Sequence, residues 1–388
     1  MRSTNSSISL IVPTLLILSL FQFGAHTVMA SIFGKSDLSG AWKERFQDIT
    51  KLNEYTKINS KMEIRDVSIK GYNLSNAVFN NAAFNNIEWT DTSSEKISLT
   101  NTVFRGNTFN DIEFNNGTFT NVTFEDVEFN RAVFSGTEFH NVKFIRCTFK
   151  FRSAIVGLKN SSTLDFDHST FENANFSESQ ANISFRNSKL NDVELTDLIF
   201  PSSIIFENSK LEDIDLDRSK LTKLAMDNVT GGGRESGFNG GSIADVEIRN
   251  TTMTFGMNSG KLGKITFINS NIDAGFNRSN IKELRIINCK DMKSLDLYQT
   301  TVESLQIANC PINKFDPIEA IVQNFSIEKS SIINSKFKKI KVENFNLTDV
   351  TLDGLLDFSN AQVEHLATKN VTKLPSLNLN LTGSNMKF

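Results

Sequence analysis

The side chains that could do chemistry are few and scattered, and the most suggestive are acidic. Asp192 and Glu194 precede Asp213 and Asp215 by the same interval. If the chain repeats with that period, four carboxylates stack on one outward face. Like charges at sheet spacing repel, and a hard cation such as calcium would relieve the repulsion. These four acids are therefore the candidate metal site, with solvated surface carboxylates as the plainer reading, and calcium is the only cofactor suggested. The same acids are also the only seed for a secreted carbohydrate-active enzyme.

Cys289 and Cys310 occupy equivalent places in a column that reads Thr251, Ser270, Cys289, Cys310, Ser330, Val350 and Val371. A small inward residue explains every member, yet stacked cysteines in an oxidising compartment could also bridge. The third cysteine, Cys147, is expected to be an inert core residue. The segment from Gly231 to Gly241 is rich in glycine, which predicts a loop leaving the regular structure with Arg234 and Phe238 available for contact.

Other chemistry is poorly supported. His140, His168 and His365 lie far apart without metal-ligand spacing. Gly256 to Lys261 is one residue short of a phosphate loop, and Leu262 stands where a hydroxyl is needed. No catalytic constellation is legible, so no enzyme activity is expected. The net charge of −3 excludes a strongly basic nucleic-acid binder, and no nucleic-acid partner is expected. It equally fails to match a strongly acidic nucleic-acid mimic.

What must position these residues is a repeat. From Ile64 in steps of five come Ile69, Leu74, Phe79, Phe84, Trp89, Ser94 and Leu99. An unbroken run of Phe then extends from Phe104 to Phe149. Only Ser94 interrupts the apolar series. Two residues before each centre stands a smaller apolar residue in most repeats, such as Ala77, Val122 and Val142. A period of five matches neither an α-helix nor a simple strand. Short extended stretches separated by corners, four to a coil of ~20 residues, satisfy it, with strands stacking at ~4.8 Å.

This pattern, as in Asn121-Val122-Thr123-Phe124-Glu125-Asp126-Val127-Glu128-Phe129, resembles the pentapeptide-repeat family. The resemblance implies a right-handed quadrilateral β-helix, an all-β solenoid. It also supplies an alternative function, because some members of the family mimic duplex DNA and protect topoisomerase from quinolones.

Beyond Phe149 the five-residue step lapses. It returns as a degenerate coil period marked by Leu164, Ile183, Ile204, Leu224, Val246, Ile265 and Leu284, and on to Leu366. Four residues after each mark an Asn column runs from Asn187 to Asn370, which reads as a corner-forming ladder because Asn tolerates the left-handed backbone.

The domain reading is then a signal peptide over 1–30 and an N-terminal helical cap over 31–60. A regular β-helix follows over 61–150, with a degenerate continuation over 151–388. The leader is read from Arg2, the apolar run between Ile8 and Phe23, and Val28-Met29-Ala30 before Ser31. The cap is read from Trp42, Phe46, Ile49 and Tyr55 at helical spacing, a short capping helix.

The mature chain is expected outside the cytoplasm, secreted or periplasmic, and not transmembrane. It reads as a non-catalytic rod or scaffold binding an unidentified protein or envelope component. Alternating Leu377, Leu379 and Leu381 suggest a homodimer formed through the C-terminal end.

Overall fold

The computed structural model describes residues 36–37, 62–71, 73–159, 162–231 and 237–387. Within them the chain forms a parallel β-solenoid of about 16 turns. Three-residue strands such as Thr118–Thr120, Thr123–Glu125, Glu128–Asn130 and Val133–Ser135 form the four sides of a coil. Each strand pairs in parallel with its equivalent 20 residues away, so Phe109 lies over Phe129 and Phe124 over Phe144.

The central residue of each strand points inward, and its two neighbours point out. Phe109, Phe119, Phe124, Phe129, Phe134, Phe139 and Phe144 are fully buried. Their rings stack up one side, with Phe84, Phe104, Phe124 and Phe144 separated by 4.8, 4.9 and 4.9 Å. Rings on adjacent sides meet edge to face, as Phe124 and Phe129 do at 5.4 Å. Both are favoured aromatic geometries.

The corners explain the polar residue types. From Asn81 to Arg146 the second residue after every centre has φ between 49 and 62°. This is the left-handed region that Asn, Asp and Gly tolerate best. The amides also form ladders, with Asn121 donating to Asn101 at 3.1 Å and Asn141 donating to Asn121 at 2.9 Å.

The Asn column of the second half does the same work. Its members from Asn187 to Asn370 all have positive φ, and Lys329 and Asp349 share it. Asn228 donates to Asn208 at 2.9 Å.

From Ser162 onward the shape changes. The sides merge into longer strands such as Ser242–Arg249, Lys261–Ile268 and Asn280–Ile287, eight residues each. One continuous stack of parallel strands runs from Met62–Arg65 to Asn385–Met386 without closing on itself.

The two-residue strand Ser36–Asp37 pairs with Val67 and Ser68 at the N-terminal edge. The signal peptide and the residues read as a capping helix, Trp42, Phe46, Ile49 and Tyr55, lie outside the described residues. Among the described residues, no helix is long and apolar enough to cross a membrane.

Candidate functional site

The structure stacks the four acids on adjacent coils, as their spacing implies. Glu194 and Asp215 pair across adjacent strands, and Asp192 and Asp213 stand at the intervening corner with φ of 54 and 51°. Two of the carboxylates are engaged by other groups. Asn175 donates to Glu194 at 2.5 Å, and the Asp217 backbone N–H donates to Asp215 at 2.8 Å. Burial pushes the Asp215 carboxyl above the usual carboxylate range. Among the described residues no three His, Cys, Asp or Glu side chains converge to hold a metal ion.

Corner geometry and in-register stacking leave Asp192, Glu194, Asp213 and Asp215 side by side on the surface, as the plainer reading of solvated carboxylates had it. Asp213→Asn should stabilise the fold by about 0.5 kcal/mol in urea unfolding, since it relieves a stacked like charge at a corner that suits Asn.

The cysteine column is a hydrogen-bonded ladder. The Cys289 N–H donates to Cys310 Sγ at 3.2 Å, and the Cys310 N–H donates to Ser330 Oγ at 3.1 Å. The same column begins with the Cys147 N–H donating to Ser169 Oγ at 3.2 Å, then Ser169 to Ser188 at 3.1 Å and Ser188 to Ser209 at 3.2 Å. Each small polar side chain thus satisfies a corner N–H of the coil before it, which the interior would otherwise leave unpaired.

All three cysteines are free and buried in this structure, in keeping with the reading of the column as small inward residues. Parallel coils aim both side chains the same way, and each sulfur sits where a Ser oxygen sits in other coils. The hydrogen bond with the Cys310 thiol, reinforced by burial, pushes the Cys289 thiol up.

Thiol titration should find three reactive groups in denatured, unreduced protein and none in native protein. Burial also pushes the Cys147 thiol up to about 12 from 9.0. The fold favours the neutral thiol, so its contribution is whole below pH 9.0 and is lost as pH rises toward about 12. The loss is about 1.4 kcal/mol per pH unit in that window. Cys147→Ser, matching the next members of the ladder, should remove that component of the alkaline loss in unfolding experiments.

The described ends of the glycine-rich segment are tied to the neighbouring coils. Gly231 pairs with Leu211 and Met253, and Gly237 bridges to Asp215 and Gly256. Phe238 is only 4% exposed and belongs to the core. The reading of Phe238 as an accessible contact residue is corrected: it fills the inward position that Leu216 and Met257 fill in the neighbouring coils. Arg234 lies outside the described residues.

One feature went unrecognised as a site in the sequence. The corner after Phe149 holds one residue more than its neighbours, and both Phe151 and Arg152 take left-handed backbone, with φ of 56 and 63°. Such backbone costs a non-glycine residue about 1–2 kcal/mol. The Phe151 side chain is 60% exposed.

With Arg152, Glu172 and Asn173 it lines an open cleft of about 430 Å³. Every other Phe from 79 to 149 points inward. The available signal was a Phe out of step with the five-residue register at the point where that register lapses.

Residues 99–143 match the family model described as pentapeptide repeats, nine copies. No curated protein sequence matches the chain. Among solved structures it is similar to trypsin-treated QnrB1, a plasmid-mediated fluoroquinolone resistance protein, at 9% identity and a TM-score of 0.23. That match covers 44% of this chain and 79% of the other. It is also similar to HetL, a pentapeptide-repeat protein involved in heterocyst differentiation regulation from the cyanobacterium Nostoc sp. strain PCC 7120. There the identity is 11% and the TM-score 0.26, covering 59% of this chain and 90% of the other.

Proposed function

We propose that this pentapeptide-repeat chain, with family repeats over residues 99–143, works outside the cytoplasm as a non-catalytic rod that presents its surface to a protein or envelope partner. The observation that carries the scaffold reading is how the polar side chains are used. The inward Ser, Thr and Cys residues serve corner N–H groups, and the corner Asn residues bond to one another. Some surface charges are paired between coils in the same way. Arg146 donates to Glu125 at 2.8 Å and Asp126 at 2.7 Å, and Arg218 pairs with Asp197 at 2.7 Å. These groups hold the rod together and are not poised for turnover.

Placement outside the cytoplasm rests on residues 1–30. The test is to fractionate the native cells and sequence the N-terminus of the protein. A chain beginning at Ser31 outside the cytoplasm supports the reading, whereas an uncleaved chain in the cytoplasm overturns it and favours topoisomerase protection.

The same proposal includes self-association at the C-terminal end, where Leu355, Leu374, Leu379 and Leu381 are exposed. Sedimentation should show a dimer at micromolar concentration, and a monomer across that range removes this part of it.

A further inference from the structure

We infer that the cleft beside Phe151 is a binding subsite for a neutral, hydroxyl-rich saccharide, with the Phe151 ring as the stacking platform and Arg152, Glu172 and Asn173 as hydrogen-bonding groups. Three independent features meet there.

The first is backbone strain with an exposed aromatic at its peak. Phe151 and Arg152 are consecutive left-handed residues, in a protein that elsewhere gives most such corners to Asn, Asp or Gly. A corner that only needed to absorb an extra residue would be more stable with those types. The ring is held outward at the cost of that strain.

The second is the unused polar capacity. Charged residues on the preceding coils are paired, Arg131 with Asp111, Arg146 with Glu125 and Asp126, and Lys150 with Glu128. Among the described residues, Arg152 and Glu172 form no ion pair, and the Asn173 side chain has no hydrogen-bond partner. Donors and acceptors therefore line one cleft without satisfying each other.

The third is size and charge balance. About 430 Å³ falls within the range of small-ligand pockets, roughly 300–1,000 Å³. A net anion would gain from Arg152 and lose to Glu172, and a cation the reverse. A neutral ligand carrying both donors and acceptors satisfies both groups. An apolar face over an aromatic ring and hydroxyls at its rim are the chemistry of a pyranose. The inference does not depend on where the protein resides, so its test uses the purified full chain.

Calorimetry with neutral hexaoses of glucose, mannose and N-acetylglucosamine should detect binding of at least one. Phe151→Asn keeps a residue suited to the left-handed corner and removes the ring. Glu172→Gln removes the charge. Each should weaken binding at least tenfold while the unfolding temperature stays level or, for Phe151→Asn, rises. No binding by any of the three overturns the inference, as does binding that survives both substitutions. A preference for an acidic hexauronate that is abolished by Arg152→Gln and by salt would mark an anion site instead and also overturn it.

Discussion

Gly263→Ala is expected to destabilise the rod by about 3 kcal/mol or more, as a large drop in the urea midpoint of the far half. A Cβ at this position would stand 2.1 Å from the Ala244 carbonyl oxygen and 3.0 Å from its carbon. The obstruction is backbone of the preceding coil, so no rotamer change relieves it.

The equivalent positions in neighbouring coils hold Ala244 and Lys282, so the position itself does not forbid a side chain. The intolerance is local. The coils on either side of Phe267 step by only 19 residues, from Ile248 to Phe267 and from Phe267 to Ile286.

Gly260 is the control within the same coil. A Cβ there would meet Leu262 Cδ2 at 3.4 Å and the Gly241 carbonyl oxygen at 3.5 Å, which is ordinary contact. Gly260→Ala should change stability by less than about 0.5 kcal/mol. Equal effects at the two glycines would show that the coils shift freely and that the close approach does not limit the fold.

Phe124→Ala is expected to cost about 4 kcal/mol, within the range for truncating a fully buried Phe. The ring is sandwiched between Phe104 and Phe144, each 4.9 Å away, and meets Phe129 and Phe119 on the adjacent sides. Three-residue strands fixed at both corners cannot collapse into the space the ring leaves. Leu366→Ala supplies the contrast, because that side chain is only partly buried near the C-terminal end, and about 1 kcal/mol should be lost there.

In a solenoid each coil contacts only its neighbours, so both variants should leave distant coils folded. Hydrogen exchange can check this, since protection lost uniformly along the rod would mean that stability is shared globally and not coil by coil.

The repeat is the part of this protein that its sequence determines most directly. The five-residue spacing of Phe dictates one inward ring per short strand, and the Asn, Asp and Gly residues two places later dictate a left-handed corner. These are local requirements, met within a few residues of chain, so they are legible without a structure. Even Ser94, the one break in the series, follows the rule: it is buried, and its hydroxyl donates to the Glu113 carbonyl at 3.0 Å.

What one coil does to the next is a different matter, because it depends on the direction and height of groups some 20 residues apart. Spacing placed Cys289 beside Cys310 but could not show that parallel stacking turns each sulfur toward a backbone N–H. It placed four carboxylates on one face but not the amides and backbone groups that engage Glu194 and Asp215. Glycine content suggested a loop around Phe238, yet bridges from Gly237 to both neighbouring coils draw that ring into the core.

Phe151 shows the converse. Its residue type belongs to the interior, but one additional residue in its corner rotates it out of the inward row, and only the stacked coils decide which ring faces water.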